Sequence, residues 1–60
     1  MEKEIIKLNA SELETIDQKE IRKVLEERAD VVTEKLRKAG KVVIARSFMT
    51  HEHYAEVLYV

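Results

Sequence analysis

From Glu4 to Leu8 (EIIKL) the chain sets Ile6 and Leu8 on one side and Ile5 and Lys7 on the other, and this short β-branched run predicts a first strand. The alternation stops at Asn9. Between there and Ile16, Ser11 followed three residues later by Glu14 predicts one capped helical turn that tucks Leu13 inward. Asp17 then reads as a helix N-cap, with Glu20 placed to reach back to its amide and with Ile16 and Ile21 spaced as a hydrophobic staple. Acidic Glu20 in the first turn and Lys35, Arg37 and Lys38 in the last match the helix dipole, and Gly40, the only glycine, suits the left-handed residue that ends a helix. The prediction is one long helix over residues 18–39, about 33 Å at 1.5 Å per residue.

At 100° per residue, Ile21, Leu25, Ala29, Val32, Leu36 and Ala39 fall in one arc and form the expected core stripe. Val24 and Val31 make a second ridge to one side, with Arg28 and Lys35 between the two. Two arrangements fit this pattern. In one, the valines pack at the edge of a sheet while Arg28 and Lys35 run outward to water; in the other, Val24 and Val31 form a helix–helix contact between subunits, with both bases answered by acidic groups across it.

Lys41 to Met49 (KVVIARSFM) and His53 to Val60 (HYAEVLYV) have strand composition around the bend Thr50-His51-Glu52, which predicts an antiparallel hairpin. Setting Val42 opposite Val60, Ile44 opposite Leu58, Arg46 opposite Glu56 and Phe48 opposite Tyr54 gives a charged pair and an aromatic pair. The other face then carries Val43, Ala45, Ser47, Met49, His53, Ala55, Val57 and Tyr59. With neither Gly nor Asn in the bend, turn chemistry leaves this register open to a one-residue slip. Small residues at Ala45, Ser47 and Ala55 favour turning their face to the helix, leaving Ile44, Phe48, Tyr54 and Leu58 for another subunit. The first strand is expected parallel to the second through a right-handed helical crossover. The expected fold is a single α+β domain over residues 1–60 of order β-α-β-β, one long helix packed on a small three-stranded sheet.

Both hairpin faces are largely apolar, yet one long helix covers only one of them, so self-association is the expected remedy. The expected contact residues are Val24, Arg28, Val31, Lys35, Ile44, Phe48, Tyr54 and Leu58. Sixty residues without cysteine have no disulfide or thiolate support, which strengthens the same expectation. The net charge of -1 gives no general attraction to nucleic acid or an anionic membrane. The longest apolar stretch, Val42 to Ala45, is far below the roughly 20 residues that span a bilayer. With no signal-peptide core at its acidic start, the chain is expected in the cytoplasm, or the host cytoplasm for a viral protein. Seven Lys and ten Glu against two amides resemble hyperthermophile usage.

Little here points to catalysis. His51-Glu52-His53 on a strand offers a metal two imidazoles from one side, but two ligands do not make a site, and a solvated bend explains the same residues. Glu52, Glu56 and Tyr54 assemble on paper into an acid–base set, but such a set needs a cleft that a chain this small has little room to build. No nucleophile motif is present, and one glycine excludes a phosphate loop. In length and element order the chain resembles the tautomerase superfamily, whose base is an N-terminal proline amine; this chain begins Met1-Glu2 and has no proline, so the likeness covers element order only. Dodecins share that order, but their flavin site uses a tryptophan absent here. Lys35, Arg37, Lys38 and Lys41 form a basic end to the helix, and helix plus hairpin resembles the small α/β chromatin proteins of archaea; Glu26, Glu27, Asp30 and Glu34 oppose phosphate binding there. The sequence reading is therefore a small non-enzymatic homo-oligomer without cofactor, dimeric or higher. It is expected to act as an assembly or regulatory protein that binds another protein, of viral, plasmid or thermophile type. A nucleic-acid-binding oligomer is the first alternative, and an enzyme or ligand-binding protein with a site between subunits the second.

Overall fold

In the computed structural model, which describes residues 1–60, the first apolar run becomes β1 (Glu2–Lys7), begun two residues before its predicted start. A six-residue helix, α1 (Ala10–Thr15), follows. Its cap is Asn9 rather than Ser11: the Asn9 side chain accepts the Glu12 amide at 2.9 Å, while the Asn9 amide donates to Glu12 Oε1 at 3.2 Å. This reciprocal pair holds the turn that carries Leu13 against the core.

Asp17 caps as expected, accepting the Lys19 amide at 3.2 Å, but the first turn, Gln18–Glu20, is a tight 3-10 turn and α2 proper runs Ile21–Lys38. At the far end the Lys41 amide bonds the Leu36 carbonyl at 2.9 Å and the Gly40 amide bonds that of Arg37 at 3.0 Å, with Gly40 at φ 82°. These are the two bonds of a Schellman ending, whose left-handed residue favours glycine.

The hairpin strands are β2 (Val43–Met49) and β3 (Tyr54–Tyr59), joined by the 3-10 turn Thr50–Glu52. The sheet order is β1-β3-β2 and every pairing is antiparallel. β1 thus does run parallel to β2, but with β3 between them, so the two strands joined by the helical crossover are not neighbours. β3 takes the centre because it supplies Ala55 and Val57, both fully buried, and so needs neighbours on each side.

The hairpin register departs from expectation at one residue. Val42 and Val60 exchange both backbone bonds at 3.0 Å and Val43 faces Tyr59, as predicted; then Ala45 faces Leu58, Arg46 faces Val57 and Phe48 faces Ala55. Ile44 is the extra residue of a β-bulge. Beyond it every side chain of β2 changes face, as a one-residue slip requires. The gain is that Val43 and Phe48 both reach the helix side, which strict alternation forbids, and both pack against the core. Burying the only phenylalanine outweighs burying Ala45 or Ser47.

The core is small: Ile6, Leu8, Ile21, Leu25, Ala29, Ala55 and Val57. On α2 the buried line is Ile21, Leu25, Ala29 and Thr33, spaced by four, with Val24, Val32 and Leu36 flanking it; Ala39, expected in the stripe, is exposed. Thr33 is the one buried polar residue, and its hydroxyl has no hydrogen-bond partner. With extents of 35 × 17 × 16 Å the chain is elongated, and its radius of gyration of 11.9 Å exceeds the roughly 10.4 Å of a compact chain of this length. Its accessible surface, 4397 Å², is likewise above the roughly 4,000 Å² expected for its mass. The chain leaves roughly a tenth more surface in water than a compact domain of its mass.

Two substitutions test this packing in thermal melts followed by circular dichroism. Thr33→Val keeps the shape and removes an unpaired buried hydroxyl; it is expected to stabilise by about 1 kcal/mol, raising Tm by roughly 4–8 °C. Gly40→Ala forces a side chain into the left-handed region and is expected to cost about 1 kcal/mol.

Candidate functional site

The sheet has two faces, and α2 lies on one. Ile6, Ala55 and Val57 point toward it; Ile5, Tyr54, Glu56 and Leu58 point away, joined after the bulge by Ala45, Ser47 and Met49. Val42 and Val60 extend this outer face at its open end. Ile5 is 47% exposed, Ile44 54%, Met49 40%, Val42 62% and Val60 57%, an unusual concentration of large apolar side chains in water. The charges among them are Lys3, Lys7 and Glu56, of which Lys3 and Glu56 approach to 3.6 Å. No segment of the chain covers this face.

The residues expected at an interface divide between the two sides. Ile44, Tyr54 and Leu58 are on the outer face. Phe48 is not: the bulge turns it to the helix side, where the guanidinium of Arg22 lies 5.2 Å and that of Arg46 5.8 Å from its ring centre, within cation–π range. Arg46 also bonds Asp30 of α2 at 2.6 Å, replacing the expected partner Glu56. On the helix, Val24 packs against the core while Val31 is 56% exposed, so the proposed valine ridge divides. Arg28 is answered within its own chain by Glu12 of α1, and Lys35 is exposed. Glu12 therefore acts twice, through one oxygen on the Asn9 amide and through the other on Arg28. Ile5, Val42, Met49 and Val60 were missing from the expected set; the alternation of Ile5 with Ile6 and the pairing of Val42 with Val60 on the face of Ile44 were the available signals for three of them, and nothing before the bulge was known pointed to Met49.

The hairpin bend has a geometry of its own. His53 closes the 3-10 turn at φ 63° and ψ 39°, the left-handed region, which histidine enters more readily than most non-glycine residues. Its amide donates to the Thr50 carbonyl at 3.3 Å and its own carbonyl accepts the Leu8 amide at 3.2 Å, so the bend also anchors the end of β1. His53 lines a shallow depression of about 510 Å³ with Lys7, Glu52, Tyr54 and Glu56 above Ile5, Leu8 and Leu13. The acid–base candidates Glu52, Tyr54 and Glu56 do meet there, in a hollow open to solvent rather than in a closed cleft. His51 lies on a different depression, beside Phe48, Met49 and Thr50. The two imidazoles line different hollows, and no three His, Asp or Glu side chains stand close enough to share a metal ion.

One ionisable group is perturbed. Tyr59, opposite Glu2 at the end of β3, has its phenol pushed above the ordinary 10.0, first by desolvation and then by the carboxylates of Glu2 and Glu4. No helix is long and apolar enough to cross a membrane. The chain matches no known family model, curated protein or solved structure.

The double role of Glu12 is testable by chemical denaturation. Glu12→Ala removes the reciprocal cap and frees Arg28, with an expected loss of about 1 kcal/mol, whereas Glu14→Ala, at an exposed position outside the cap, is expected to leave stability unchanged.

Proposed function

We propose that this chain is a small non-enzymatic assembly or regulatory protein that associates with copies of itself and acts by binding another protein. The observation that carries this reading is the outer sheet face, where Ile5, Val42, Ile44, Met49 and Val60 stand exposed with no helix above them. A small domain that leaves such a surface in water is more soluble and more stable when the surface is paired. A closed symmetric oligomer is the simplest partner, because each copy brings the same uncovered face. The charge pattern agrees, since Lys3 and Glu56 already neutralise each other within the face and leave it no strong sign. The depression at the hairpin bend is open to solvent and does not enclose its carboxylates, which favours binding over catalysis. A source among viruses, plasmids or thermophiles, and a place in the cytoplasm, belong to the same proposal and rest on size and on the Lys and Glu content.

Light scattering on a sizing column, with absorbance at 260 and 280 nm, is the direct test. The expected mass is a multiple of 7.0 kDa without a nucleic-acid signal. Ile5→Lys combined with Ile44→Lys is expected to lower that mass while the melting curve stays cooperative. A wild-type monomer of 7.0 kDa would overturn self-association, and a mass unmoved by the double variant would remove this face as the contact.

A further inference from the structure

We infer that a second copy of this chain adds to the sheet along β2, two-fold related, with Ser47 opposite its own symmetry mate. This deepens the self-association reading and rests on it.

The ladder phase shows which backbone groups are free. Val42 and Val60 exchange both of their bonds, and Leu8 donates to His53. Counting in twos from these anchors, with one residue allowed for the bulge, the even-numbered residues of β3 bond β2 and the odd-numbered ones bond β1. Ser47 and Met49 therefore spend their N–H and C=O groups on β3, while Arg46 and Phe48 present theirs to the open edge. None of the backbone bonds made outside the helices and ladders uses a residue from Val43 to Met49, so this edge has no partner within the chain.

The sheet has two edges, and they differ in what self-pairing would cost. On β1 the two antiparallel registers that keep five residues paired, with side chains on matching faces, set either Glu4 against Glu4 or Lys3 against Lys7 twice. Like charges directly opposite destabilise a pair, and charged edges of this kind protect a sheet from addition. On β2 beyond the bulge, the register that keeps Ala45 to Met49 paired sets Arg46 opposite the Phe48 of the second copy, Ala45 opposite Met49, and Ser47 on the axis. No like charges meet. The Arg46 guanidinium, already 5.8 Å from its own Phe48 ring, gains a second aromatic face, and a small side chain sits beside a long one on the outer side. Arg46 and Phe48 are also the residues whose backbone groups point outward, so the two symmetric pairs exchange four hydrogen bonds. The product is one six-stranded antiparallel sheet with both helices on the same side and two outer apolar patches made continuous.

The absence of cysteine from the chain makes the register readable. Residues on a two-fold axis in a non-hydrogen-bonded antiparallel pair have Cα atoms about 4.5 Å apart, which a disulfide bridges. Ser47→Cys, left in air with a mild thiol–disulfide buffer, is expected to convert to a covalent dimer on a non-reducing gel, while Ala45→Cys and the exposed Ser11→Cys stay mainly single. Ser47→Lys supplies a second reading. Within the chain the new lysine faces Glu56, which suits the fold, but across the axis two lysines meet, and the expected result is weaker self-association with unchanged circular dichroism. If wild type is oligomeric but Ser47→Cys links no better than the two controls and Ser47→Lys associates like wild type, the edge is not the contact and self-association through the outer face stands. A monomeric wild type overturns both. Linking through Ala45→Cys in place of Ser47→Cys overturns this register.

Discussion

A single helix can cover one face of a three-stranded sheet, and every unusual property of this chain follows from that limit. α2 spends its buried line on Ile6, Ala55 and Val57, and with Leu8 these form nearly the whole core. Nothing remains for the opposite face. The elongated outline and the excess of accessible surface are the same fact measured in other ways. A core of seven side chains gives such a domain little reserve, and burial of the second face by another polypeptide is the obvious source of more.

The β-bulge at Ile44 decides what the second face contains. It moves Phe48 beneath the helix, where Arg22 and Arg46 flank its ring and Arg46 reaches on to Asp30, so a hydrophobic decision at one residue sets an electrostatic link between sheet and helix. The same shift moves Ala45, Ser47 and Met49 outward. The open edge of β2 thereby acquires a composition without like charges in opposition. β1, at the other edge, carries Glu2, Lys3, Glu4 and Lys7. One edge is thereby guarded and the other is left available.

Local signals were legible where their partners lie close in the chain. The Gly40 ending, the Asp17 cap, the inward Leu13 and the long helix were all readable from spacings of three to five residues, because those groups meet through the backbone of one turn. The cap of α1 was misplaced, since Ser11 and Asn9 carry equally good capping oxygens and only the path out of β1 selects between them. Thr33 replaced Val32 in the buried line because the rotation of a helix about its axis is set by the sheet beneath it. His53 took the left-handed position that a Gly or Asn would have announced.

The sequence alone determined the class of element at nearly every position, the α+β order, and the presence of more apolar surface than one helix can bury. These depend on periodicity and on local hydrogen bonds, which the chain carries wherever it lies. Only the tertiary structure decided the neighbour of β1, the residue that bulges, the face of Phe48, and the partner of Arg28 within the chain, which is Glu12 sixteen residues away. Each of these is a contest between long-range alternatives of similar local quality, settled by the joint packing of helix and sheet.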